Sequence, residues 1–150
     1  MSLKDKLQED LKQAIRDKDE TQKTTLRLAL AAIKNAEIDK GRELDDKELI
    51  AVISQQAKQR RESIAEFAKG GRQDLVAQEE EELKILIEYL PPQLSEEEIR
   101  ARASEVIEQV KATTPAQMGE VMRMLMPELK GKADGRVVNR IVRELLEEKE

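Results

Sequence analysis

Leu90-Pro91-Pro92-Gln93-Leu94-Ser95-Glu96-Glu97-Glu98-Ile99 is the stretch that organises the whole chain. The paired prolines stop any helix arriving from the N-terminal side, because each lacks an amide donor and restricts the residue before it. Ser95 and Glu98 then have the spacing of a capping box, and the acidic residues that follow the serine suit the positive end of a helix dipole. One helix therefore ends here and another begins, and the boundary between two domains is placed at this point, 1–90 before it and 91–150 after it.

Outward from that junction, apolar residues recur at helical spacing in both directions. Leu3, Leu7, Leu11, Ala14 and Ile15 mark the buried face of a first helix. Asp19 with Gln22 has the spacing of a capping box and opens a second, carrying Leu26, Ala29, Leu30 and Ile33 and stopping near Gly41. Asp45 with Glu48 opens a third through Leu49, Val52, Ile53, Ala57, Ile64 and Phe67 to Gly70-Gly71. A fourth uses Leu75, Leu83, Leu86, Ile87 and Leu90. Beyond the prolines, Ile99, Ala103, Val106, Ile107 and Val110 form one stripe. Thr114-Pro115-Ala116-Gln117 starts the next helix, with Met118, Val121, Met122 and Leu125 inward and Pro127 limiting its length. Asp134 caps the last, which buries Val137, Val138, Ile141, Val142 and Leu145. No segment alternates as a strand would. The fold class is all-α: an N-terminal helical domain followed by a compact C-terminal three-helix bundle.

Composition narrows the chemistry. Of 150 residues 39% are charged and 1% aromatic, so the core must be aliphatic; cysteine and histidine are absent. That removes disulfides, thiolate metal sites, the cysteine nucleophile and the commonest general base. No catalytic constellation, cofactor loop or metal-ligand set stands out. The serines have no histidine to activate them, and Glu79-Glu80-Glu81-Glu82 reads as a solvated face because consecutive helical residues point apart. Lys58, Arg60 and Arg61 read as paired within their own helix to Glu62 and Glu66. The N-terminus lacks the apolar run of a signal peptide, and no stretch is long enough to span a bilayer; the expectation is a cytoplasmic protein without a membrane partner.

With a net charge of −5 the chain gives no global reason to meet a polyanion, so any such site must be local. One is visible. From Ala116 to Arg143 six basic residues face three acidic ones, a local +3. Arg136, Asn139, Arg140 and Arg143 fall opposite the apolar stripe of the last helix, and Lys130 and Lys132 lie in the loop before it. Such spacing can follow a phosphate backbone, with amides at the helix start as further donors and Gly131 and Gly135 permitting close approach. Any amphipathic helix also has a charged outer face, and no aromatic lies near for base stacking. Four of the five methionines cluster at Met118, Met122, Met124 and Met126; they read as core filling, with Met124 alone outward.

The junction at 90–99 together with Met118-Gly119-Glu120-Val121-Met122, Lys130-Gly131-Lys132-Ala133-Asp134-Gly135 and Val138-Asn139 resembles the small bacterial YqeY proteins, also called GatB/YqeY, over the full length. The second half is similar to the tail domain of the GatB component of the aspartyl/glutamyl-tRNA amidotransferase, an all-helical appendage that contacts tRNA. The resemblance implies a C-terminal three-helix domain, a link to tRNA or another structured RNA, and the family label of carbon–nitrogen ligase with glutamine as amido-N-donor. Lys130, Lys132, Asp134, Gly135 and Asn139 belong to the motif. The expectation is a non-catalytic RNA-binding module using Lys130, Lys132, Arg136, Asn139, Arg140 and Arg143. Two alternatives stand beside it: an adaptor docking on the amidotransferase complex or another protein, and a component of a glutamine-using ligase.

Overall fold

The computed structural model describes residues 2–149, and all of its regular structure is helical. The chain divides into two compact units, Met1–Pro91 and Pro92–Glu150. The first holds α1 (Leu3–Asp17), α2 (Glu20–Lys40), α3 (Asp46–Lys69) and α4 (Gln73–Ile87); the second holds α5 (Glu96–Val110), a 3-10 turn (Pro115–Gln117), α6 (Met118–Leu129) and α7 (Gly135–Glu148).

Helix starts follow local side-chain chemistry. Ser2, Asp45 and Ser95 make reciprocal capping boxes with Asp5, Glu48 and Glu98, whereas Asp19 only accepts from the Gln22 amide. The Gln117 side chain reaches back to the amides of Thr113 and Thr114, at 2.7 and 3.2 Å. Each such cap contributes about 1 kcal/mol. Helix ends were harder to foresee. Gly41 closes α2 at φ 71, but Lys18 and Lys111 take the left-handed positions that close α1 and α5. Pro127 lies inside the last turn of α6, which continues to Leu129. Near a helix end the missing amide and the crowded carbonyl disturb only one bond, so the proline does not terminate the element.

The first unit is organised around Leu7, Leu26, Ile33, Ile53 and Leu86. Tyr89, just past α4, is buried and its hydroxyl donates to Asp10 at 2.5 Å, while the Lys6 ammonium lies 5.7 Å from the ring centre. Glu37 accepts from Lys4 at 2.9 Å and from the Leu44 amide at 3.1 Å, and these contacts hold its carboxyl below the ordinary range. Ile15, placed on the buried face by its spacing, is 46% exposed; Ile64 and Phe67 are half-buried. Ala14, one position earlier, is buried, so neighbouring helices cover only one side of this last turn, and periodicity does not register where that cover stops.

Two charge readings are corrected here. Arg60 pairs with α4, at 3.3 Å from Glu79 and 3.6 Å from Glu82, and not with carboxylates of its own helix. Within Glu79–Glu82 the first is half-buried and the last is 7% exposed, so only Glu80 and Glu81 form a solvated face. The run spans a full helical turn, so part of it had to face the α3 neighbour.

In the second unit Ile99, Val106 and Ile107 of α5 meet Val121 and Leu125 of α6 and Val138, Ile141, Val142 and Leu146 of α7. Each large aliphatic contributes about 1.5–3 kcal/mol of burial. Met118, Met122 and Met126 pack partly buried against this core, and Met124 is 47% exposed.

Candidate nucleic-acid interface

The α6–α7 connector is built from its backbone outward. The Lys130 amide donates to Met126 at 2.9 Å, and the Lys132 and Ala133 amides donate to Leu129 at 2.8 and 3.1 Å. Gly131 has φ 82, a conformation that favours glycine. Its carbonyl accepts from the Gln93 side chain, and the Lys132 carbonyl accepts from the Leu94 amide, both at 2.8 Å. The chain just after the proline pair thus grips the connector from below. The main chain is turned inward, and the Lys130 and Lys132 side chains are left exposed.

This geometry revises the roles expected of the two glycines. Gly131 is buried, so its lack of a side chain serves the turn and not a close approach by RNA. Gly135 is exposed, and a β-carbon there would make only an ordinary contact, 3.8 Å from the Met126 methyl. At the start of α7 the Arg136 amide donates to the Asp134 carboxylate at 3.0 Å. That donor is already in use, and a carboxylate beside it disfavours a phosphate at the helix terminus.

All six expected contact residues are exposed: Lys130, Lys132, Arg136, Asn139, Arg140 and Arg143. They are not equivalent. Arg140 reaches Glu96 of α5 and, at 3.1 Å, Glu144 of its own helix. Glu144 also accepts from Arg100 at 2.7 Å, and the two guanidiniums hold its carboxyl below the ordinary range. The chain Glu96–Arg140–Glu144–Arg100 therefore laces α5 to α7, and Arg140 belongs to that lacing. Lys132 contributes a small attraction to Glu128, whose main partner is Arg102 of α5, bonded at 2.6 and 2.7 Å. Among the described residues Lys130, Lys132 and Arg143 form no ion pair. The basic surface is thus the connector and the Arg136–Asn139–Arg143 side of α7. Among the same residues no three acidic side chains gather as a metal site.

Comparison with known proteins gives the family. The profile of the family described as Yqey-like protein matches residues 4–146. The chain belongs to that family. It is also similar to "Altered inheritance of mitochondria protein 41, mitochondrial" of several yeasts. With the Lachancea thermotolerans protein it is 43% identical over 113 residues, 73% of this chain and 60% of the relative. With the Kluyveromyces lactis protein it is 43% identical over 73% of this chain and 61% of the relative, and with that of Candida glabrata 32% over 85% and 69%. The chain spans about three-fifths of the length of the first two relatives.

Those relatives are named as mitochondrial, which overturns the cytoplasmic expectation. That expectation rested on the lack of an apolar signal run. Mitochondrial import reads amphipathic, arginine-rich segments, so the lack of an apolar run does not distinguish the two compartments. None of the helices among the described residues is long and apolar enough to cross a membrane.

Proposed function

We propose that the Pro92–Glu150 unit is a non-catalytic binding module for tRNA or another structured RNA, akin to the tail domain of the amidotransferase GatB component. The observation that carries this reading is the connector: Lys130 and Lys132 are exposed and, among the described residues, free of ion pairs in an acidic chain, on a loop held by the Gln93 side chain and the Leu94 amide, which donate to its carbonyls. Across the outer face of α7, Arg136, Asn139 and Arg143 extend the same surface. Lysines and arginines so placed bind phosphates by charge and position an RNA without reading its bases. The lack of aromatic rings in this unit fits recognition of backbone and shape, not of splayed single-stranded bases.

Fluorescence anisotropy with labelled total tRNA tests the reading. The full chain is expected to bind at low salt, and Lys132→Glu with Arg136→Glu to abolish binding while helicity by circular dichroism stays unchanged. Equal affinity of the double variant and the parent refutes the assignment.

A further inference from the structure

Helix α2 has a second surface that the RNA reading does not use. Its buried side is Thr25, Leu26, Ala29 and Ile33. At about 100° per residue, the opposite side divides into two parallel bands. One is cationic, with Lys23, Arg27 and Lys34. The other is Thr24, Leu28, Ala31, Asn35 and Ile38, where Leu28 is 46% and Ile38 67% exposed. Leu28 and Ile38 are about 15 Å apart along the axis, and only small side chains separate them.

Carboxylates on this face lie only at its two ends, Glu20 and the exposed Asp39. Glu20 at its start is held by Lys23 at 3.0 Å, and Glu37 turns away to Lys4. Among the described residues Arg27 and Lys34 form no ion pair. In a chain of net charge −5 these two unpaired cations lie beside two of the three most exposed large aliphatics of this unit.

We propose that this face docks an acidic amphipathic helix of a protein partner. An apolar ridge on the partner covers Leu28, Ala31 and Ile38, and its carboxylates meet Arg27 and Lys34. The shallow small-residue band lets a helix backbone lie close. Other occupants fit less well. RNA would satisfy the cations and leave Leu28 and Ile38 in water, and the face offers no ring for stacking. A bilayer surface requires a broader apolar face than two aliphatics. An antiparallel two-fold pair of copies would bring the cationic bands together, and a parallel pair would lay them on the apolar bands.

The test places a photo-crosslinking amino acid at Ala31 of the full chain, in cells of the source organism, and maps the crosslinked product by mass spectrometry. The expected product is a protein segment that is net acidic with helical apolar spacing. As a synthetic peptide, that segment should bind the purified protein, and binding should weaken at least about tenfold with either Arg27→Glu/Lys34→Glu or Leu28→Ser/Ile38→Ser. Neither pair should alter helicity or tRNA affinity, which separates this surface from the connector. Crosslinks to RNA, lipid or a second copy, no crosslink, or a peptide indifferent to the charge reversals would each overturn the proposal.

Discussion

Arginine 140 and arginine 143 lie one helical turn apart on the same exposed side of α7, yet the structure gives them different work, and salt dependence separates them. Arg140 is engaged by Glu96 and Glu144, whereas Arg143 forms no ion pair. Counting Lys130, Lys132 and Arg143 gives three phosphates neutralised, and Arg136 raises the count to four. At roughly 0.9 per phosphate, the value for a duplex, log affinity should fall against log salt with a slope of about −2.7 to −3.6. Raising salt from about 50 to about 200 mM should then weaken tRNA binding by roughly 40- to 150-fold. Arg143→Gln should lower the slope by about 1, because one counterion is no longer released. Arg140→Gln should leave the slope unchanged and slightly lower the melting temperature by loosening the α5–α7 lacing, an effect of the small size expected for exposed pairs. Anisotropy titrations at four salt concentrations measure both. If Arg140→Gln flattens the slope as much as Arg143→Gln does, the division of the α7 surface is wrong.

Two further outcomes probe what supports the surface. Gln93→Ala removes the 2.8 Å bond to the Gly131 carbonyl, a loss of about 1 kcal/mol that should speed amide exchange at Lys132 and Ala133 about fivefold by hydrogen-exchange mass spectrometry; unchanged exchange would show that Leu94 alone suffices. Glu82 has its carboxyl pushed above the ordinary range by burial first and by neighbouring Glu79 second, with Arg60 opposing. The folded state therefore binds its proton more tightly than the unfolded chain, so this group costs stability as pH rises from the ordinary carboxylate range through its raised value. Glu82→Gln should flatten that part of the melting-temperature profile and raise stability at neutral pH; a lower melting temperature there would mean that the Arg60 attraction outweighs burial.

How much of this was readable in advance depended on the range of the interaction. Caps at Asp45, Ser95 and Asp134 were legible because donor and acceptor lie two or three residues apart. The stripe Val138–Ile141–Val142 was legible because burial repeats with the helix. The lysines that end α1 and α5 gave no signal: a left-handed closing residue is normally glycine, and here the surrounding structure imposes the conformation on a residue that does not prefer it. Ile15 kept the spacing of a buried residue and is nonetheless 46% exposed, because the cover that buries Ala14 stops short of it.

The candidate surface shows the same division, and more sharply. Sequence placed Arg136, Asn139, Arg140 and Arg143 on one face, and its count of basic residues treated them alike. The Arg140–Glu144 contact is four residues long and could be anticipated from helix geometry. Its bond to Glu96 spans 44 residues and depends on how α5 packs on α7, which no local pattern encodes. Gln93 reaches the connector across 38 residues in the same way. Long-range contacts thus do opposite things to the basic set: one withdraws Arg140 into the scaffold, and the other fixes the loop that presents Lys130 and Lys132. A mutation scan that weights every basic residue equally would average these effects. A scan that includes Glu96, Glu144 and Gln93, none of them basic, would separate them: Glu96→Gln with Glu144→Gln should free Arg140 and steepen the salt dependence, while Gln93→Ala should loosen the connector without changing the number of charges.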